Sequence, residues 1–258
     1  MNRRAGRLSR ARAERWRRRW DLQQNRYLGD RERRFEAVLL TVEVLVGRRP
    51  RVLDLGCGTG SLSERLLARF PGARVVAVDY DPVTLTLGRT ALGSARGRLA
   101  WVEANLNDPA WTRALPAGRF DAAVSSTALH WLEPRALRRL YRQLAPRIRP
   151  GGVFVNADLA EFDPTSRRLR AAARAIRHRG FLDRAGTGES WNAWWRAVAR
   201  DPALAAAMAE HRRRFPRSHS GTPALPLAGQ RLALRRAGFH EVESVRSWWE
   251  NTVLAAVR

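Results

Sequence analysis

The segment Val52-Leu53-Asp54-Leu55-Gly56-Cys57-Gly58-Thr59-Gly60 constrains this chain more than any other. It leaves a short apolar strand, Arg51–Leu55, passes three alternating glycines and enters a helix whose apolar face is Leu62, Leu66 and Phe70. Glycines on that spacing let the backbone turn with positive φ and let a ligand approach it. The helix behind them offers free N–H groups to an anionic group. A dinucleotide fingerprint, G-x-G-x-x-G, needs its third glycine where Ser61 stands, and a P-loop needs a lysine in a chain that has none. Asp79 ends the next strand, Arg74–Asp79, where a carboxylate accepts hydrogen bonds from both ribose hydroxyls. Together these residues predict an adenosine ligand without a pyrophosphate.

Around this motif the pattern alternates between strand and helix. Phe35, Val38, Leu39, Val42, Leu45 and Val46 recur at helical spacing, which predicts a helix over 31–46 behind an Asp30 N-cap. Strands follow at 51–55, 74–79, 99–103, 121–125 and 153–157, with helices near 82–91 and after Pro134. That rhythm predicts a parallel sheet covered on both faces. It breaks after Asp158. Residues 159–228 predict a helical insertion of two helices, with Trp191, Trp194 and Trp195, closed by a Pro-, Ser- and Gly-rich loop. A helix over 229–237 and two strands, 241–248 and 252–257, complete the pattern. The organisation is therefore a basic arm over 1–30, an α/β core over 31–158, a helical cap over 159–228 and a C-terminal completion of the core over 229–258.

Composition bears on partners. The formal charge is +24, and all 48 basic residues are arginine. A basic surface releases counterions from nucleic-acid phosphates, so nucleic acid is weighed as a partner. Arginine replaces lysine throughout and is spread along the chain, which reads as GC-rich coding and places nucleic acid behind a small molecule. Residues 1–20 hold nine arginines and one acid, Glu14, and read as a frayed helix or a disordered arm. No apolar run reaches the roughly 18–20 residues of a membrane span, and no apolar h-region follows the N-terminal arginines. The single cysteine, Cys57, cannot close an internal disulfide, and grouped zinc ligands are absent from the sequence. The expectations are a cytoplasmic protein, without metal, as a monomer or homodimer.

With V-L-D-L-G-C-G-T-G followed by A-V-D at the end of the next strand, the chain resembles the class I S-adenosylmethionine (SAM)-dependent methyltransferases over about 45–158 and again over 229–258. Ser125-Ser126-Thr127-Ala128-Leu129-His130-Trp131 resembles the trans-aconitate methyltransferase branch, which acts on small molecules; Pro150-Gly151-Gly152 and the LRRAGF of 234–239 match wider landmarks. The resemblance implies a Rossmann-like sheet of seven strands, the last antiparallel. It implies that the loop of Gly56, Cys57, Gly58 and Gly60 passes beneath the methionine part of SAM and that Asp54 holds its amino group through water or the loop backbone, with organising the loop as the alternative. Asp79 would bind the ribose, Tyr80 the adenine face, and Asn105, beside Leu106, the adenine amino group, although the family more often has Asp there. Ser125 and Ser126 would end a strand beside the sulfonium, as pocket lining or as helix caps.

Methyl transfer from a sulfonium needs alignment and exclusion of water, and a base only where the acceptor must lose a proton. His130 is the candidate base, with a structural role as the alternative. The cap would form the acceptor pocket, with Trp131, Trp191 and Trp195 as lining and plain packing of the cap as the alternative; the resemblance implies that the N-terminal helix closes over SAM, with Arg26 and Tyr27 nearest the pocket, where a solvated Arg and a packing Tyr explain them equally. His211 and His219 are weaker candidates, too far apart to pair on a metal. The expected function is methyl transfer to O, N or C of a small molecule. An RNA or protein methyltransferase and a non-catalytic SAM- or nucleic-acid-binding protein are the alternatives.

Overall fold

The computed structural model describes residues 7–184, 186, 188–216 and 225–258. Its frame is one seven-stranded sheet in the order β3-β2-β1-β4-β5-β7-β6. The strands are β1 (Arg51–Leu55), β2 (Arg74–Asp79), β3 (Leu99–Glu103), β4 (Phe120–Ser126), β5 (Ile148–Leu159), β6 (Glu241–Trp248) and β7 (Asn251–Val257). The first five run parallel, and β7 pairs antiparallel with both β5 and β6. This is the predicted Rossmann-like sheet. β5 begins earlier than predicted because Pro150-Gly151-Gly152 lies inside the strand, at a shift of register against β4.

Residue alternation along β1 decides what lies on each face. Leu53 and Leu55 join the layer formed by α5 (Pro134–Leu144) and α9 (Leu227–Ala237). Val52 and Asp54 point the other way, toward α2 (Arg31–Val46) and α3 (Ser61–Arg69). In α2 the predicted face is buried at Phe35, Val38, Leu39 and Val42, each at 6 % exposure or less, but not at Leu45 near its end, which is exposed. Asp30 holds the N-cap position but makes no side-chain capping bond.

The arginine-rich N-terminus departs from both alternatives read from sequence. Residues Arg10–Tyr27 form an 18-residue helix, α1, capped by the Ser9 hydroxyl. Three of its arginines turn inward to acids: Arg12 to Asp201, Arg17 to Glu64 and Arg19 to Glu189. Trp16 packs edge-on to the fully buried Trp194, and its indole N–H donates to Asp201 at 2.7 Å. α1 thereby joins α4 (Pro82–Leu92) and the cap in a third apolar cluster. Among its described residues the cap holds three α-helices, α6 (Arg167–Asp183), α7 (Trp191–Ala199) and α8 (Ala205–Arg214), one more than predicted, because Asp201-Pro202 breaks the second. No helix among the described residues is long and apolar enough to cross a membrane.

Candidate active site

A cavity of about 1490 Å³ opens over the carboxyl ends of β1, β2, β3, β4 and β5, the edge at which open α/β sheets bind ligands. One end is built by the glycine loop. Gly56 (φ +67°) passes so close to the segment after β4 that a Cβ would lie 2.3 Å from the Ala128 Cβ. Gly58 (φ +54°) faces open space, with no atom within 4 Å of a built Cβ. Its N–H donates to Asp79 Oδ2 at 2.7 Å, and Asp79 Oδ1 accepts from the N–H groups of Tyr80 (2.7 Å) and Asp81 (2.9 Å). Burial pushes the Asp79 carboxyl up to about 6, against the pull of these three donors.

Tyr80, Asn105 and Leu106 line the same end as Asp79. α8 lies over it. Arg214 stacks on the Tyr80 ring at 4.5 Å, and His211 stacks on Trp195 at 4.2 Å while its Nδ1 meets Asp81 Oδ2 at 2.8 Å. His211 is thus part of the cofactor-end roof, tied to the residue that caps α4. His219 lies outside the described residues.

Four predicted contacts are not brought to the cavity. Asp54 is buried on the α3 side of β1, where its Oδ2 accepts the Ser63 hydroxyl at 2.6 Å, and burial pushes its carboxyl up to about 7. Cys57 points into the core with its thiol pushed well above the ordinary range by burial. Gly60 packs against Trp101. Ser125 is fully buried and donates to the Leu55 carbonyl at 2.8 Å, so it ties β4 to β1. Strand alternation accounts for Asp54, which follows Leu53 and so must point away from Leu53's face.

The segment after β4 joins the end of β5 in a His–Asp pair. His130 Nδ1 meets Asp158 Oδ1 at 2.7 Å, the His130 N–H donates to Asp158 Oδ2 at 3.0 Å, and the Leu159 N–H donates to Oδ1 at 2.8 Å. Asp158 is 3 % exposed at the end of β5. Burial alone would raise its pKa, but His130 and the buried Arg34 bring it below the usual value. Burial likewise pulls His130 down, and the Asp158 charge and hydrogen bond overcome it, leaving His130 raised. Nδ1 is held by the carboxylate, and His130 lines the cavity.

Tyr27, Trp131, Trp191 and Trp195 all line the cavity as predicted. The Tyr27 hydroxyl accepts from the Trp191 N–H at 2.9 Å, which joins α1 to the cap. Arg26 does not reach it; its guanidinium covers the Phe181 ring at 4.7 Å and donates to the Gly188 carbonyl. Sequence reasoning missed Trp20 and Gln24, which share Tyr27's face of α1 at i, i+4 and i+7 spacing. It also missed Asp158, although an acid closing a buried strand had already marked Asp79. Trp248 and Trp249, in the β6–β7 hairpin, were missed as well. Two residues lining the cavity, Thr127 (φ +56°) and Trp249 (φ +53°), hold the left-handed backbone that side chains usually avoid.

Residues 52–152 match the family model described as a methyltransferase domain. The chain is 35 % identical over 150 residues to a trans-aconitate 2-methyltransferase of Azoarcus sp. (strain BH72), covering 58 % of this chain and 54 % of that protein. It is 33 % identical over 153 residues to a trans-aconitate 2-methyltransferase of Streptomyces coelicolor, covering 58 % and 48 %. The chain thus spans about half the length of the curated relatives it matches. Among solved structures, an O-methyltransferase family protein from Burkholderia thailandensis superposes with a TM-score of 0.53 at 22 % identity, over 92 % of this chain and 62 % of that one.

Proposed function

We propose, from the premise that this chain belongs to the class I SAM-dependent methyltransferases, that it methylates a small-molecule acceptor in the cytoplasm. One observation carries the reading. A single cavity is lined both by a nucleoside-type cradle, Gly56, Gly58 and Asp79, and by His130, whose Nδ1 meets the buried Asp158 behind it. The residues fit SAM: the Gly58 backbone opens onto space that any Cβ would fill, and an acid closes β2 where a ribose is bound.

When bound, SAM supplies a methyl group on a cationic sulfur that departs as a neutral thioether. The chain's residues do the rest. Asp79 holds the ribose hydroxyls, with Tyr80 and Asn105 against the base. The carboxyl ends of β4 and β5 orient the acceptor, and α1, α7 and α8 exclude water. His130 takes a proton from the acceptor at Nε2, and Asp158 holds the ring and offsets the charge that forms. α6 and α7 contribute the acceptor side of the pocket, with α8 over the cofactor end.

Calorimetric titration with SAM tests this reading. The wild-type chain is expected to bind, and Asp79→Ala to weaken binding at least about tenfold, or about 1.4 kcal/mol. A folded wild-type protein that shows no heat with SAM would refute it.

A further inference from the structure

We propose that Arg214, at the end of α8, is a positioning residue for the cofactor: it holds the Tyr80 ring in place for the adenine, so that the cap serves the nucleoside as well as the acceptor. The proposal rests on the methyltransferase reading and adds to the cofactor site a part of the chain outside the glycine loop and the sheet. α8 has a general reason to end in His211-Arg212-Arg213-Arg214, since cations complement the carbonyl end of a helix. That reason applies to Arg213 and Arg214 alike, yet the two behave differently. The Arg213 side chain is 74 % exposed and pairs with Glu210, one turn back on the same helix. The Arg214 side chain is 12 % exposed and reaches out of the helix to the sheet.

All three guanidinium nitrogens of Arg214 are engaged. Nε donates to Glu210 Oε1 at 2.6 Å, Nη1 to the Tyr80 carbonyl at 2.7 Å and Nη2 to Glu103 Oε1 at 2.6 Å, while the cation lies over the Tyr80 ring at 4.5 Å. Glu103 closes β3 and Tyr80 follows β2, so one side chain fastens α8 to the carboxyl ends of the two strands that carry the nucleoside cradle. Tyr80 lines the cavity and Arg214 does not, so Arg214 acts on the cofactor through the ring rather than by touching it. Half-exposed ion pairs contribute little singly. A flat fork that makes three bonds in fixed directions and stacks on a ring is a different device, one that a lysine could not reproduce. The rest of the helix agrees. Met208, His211 and the C-cap residue Phe215, at i, i+3 and i+7, line the cavity. His211 Nδ1 meets Asp81 Oδ2 at 2.8 Å, and Phe215 lies edge-on to Tyr80 with ring centroids 5.9 Å apart. A nucleoside held by Asp79 therefore has α8 beside it, and the Arg214 clasp governs how fast it leaves.

The test is the rate at which the full chain loses bound tritiated SAM when chased with excess S-adenosylhomocysteine. Arg214→Ala is expected to raise that rate about tenfold, and Arg213→Ala, which removes the same charge from the same helix end, to leave it within about twofold. A cycle with Tyr80→Leu separates positioning from mere fastening of the helix. In that background Arg214→Ala should add less than about twofold, because the ring it holds is gone. Should Arg214→Ala fail to fold, Arg214→Lys keeps the charge and the stem and takes its place in the cycle, with an expected rise of about threefold or more. An Arg214 effect no larger than that of Arg213→Ala, or equal in both backgrounds, would overturn the proposal. A wild-type chain that holds no SAM is a different result, which removes the methyltransferase reading itself.

Discussion

Asp158→Asn is the sharpest probe of the dyad. The carboxylate accepts three hydrogen bonds, from His130 Nδ1, the His130 N–H and the Leu159 N–H. An amide has one oxygen for them. If it stays with Nδ1 and Leu159, the new NH₂ faces the His130 N–H. If it turns, Nδ1 becomes an acceptor, the proton moves to Nε2, and the base is lost. Either way the charge that offsets a protonated imidazole is gone, and general-base catalysis worth about 10²–10⁴ in rate goes with it. The fold is also weakened. The buried Arg34 feels the Asp158 charge from a distance and keeps only that of Asp30 after the substitution. SAM affinity should change little, because Asp158 lies outside the cofactor cradle. The pH profile adds an independent check. Wild-type activity should rise as His130 loses its proton, with a midpoint above the usual value of about 6.5 because the folded pKa is raised. Asp158→Asn should move that midpoint down and lower the plateau. Rates within about threefold of wild type and an unmoved midpoint would refute the dyad.

Other consequences are open to measurement. Gly56→Ala places a Cβ 2.3 Å from that of Ala128 at φ +67°; SAM affinity should fall about tenfold or more, and a titration matching wild type would contradict the close approach. Asp54, pushed up to about 7, keeps in the folded state a proton that the unfolded chain has already lost. The stabilisation this gives at low pH is lost as pH rises from about 4 through about 7, so Asp54→Asn should flatten the fall in Tm over that window. An unchanged slope would count against the burial argument. Trp194→Ala empties a fully buried site between Trp16 and Trp20 and should cost about 3–5 kcal/mol by denaturant unfolding; a cost below about 1 kcal/mol would mean that α1 is not anchored there.

The sheet was legible because its strands are short, apolar and separated by glycine, proline and helix caps, all local signals. β1, β2 and β3 fall where the pattern put them. Gly58, Asp79, Tyr80 and Asn105 were legible for the same reason, since each follows a strand end that faces the cavity. That Asp54 lies on the α3 side of β1 was not legible, because motif spacing does not report which face a strand residue takes. Asp158 was missed because its partner, His130, lies 28 residues earlier and only the β4–β5 pairing brings them together. The arginine-rich α1 looked unfit for burial by composition. Its order comes from acids far along the chain, Glu64, Glu189 and Asp201, which no local window contains.

The bond between Trp16 and Asp201 spans 185 residues, and that between Trp191 and Tyr27 spans 164. Contacts of such separation carry the largest loop-closure cost and form late. The sheet can therefore assemble first, and the roof of the cavity closes onto it as a separate unit of lower local stability. Amide exchange should report this directly, with α1 losing protection before β1 and β4. Binding competence would then be the last property the chain acquires on folding and the first it surrenders on warming.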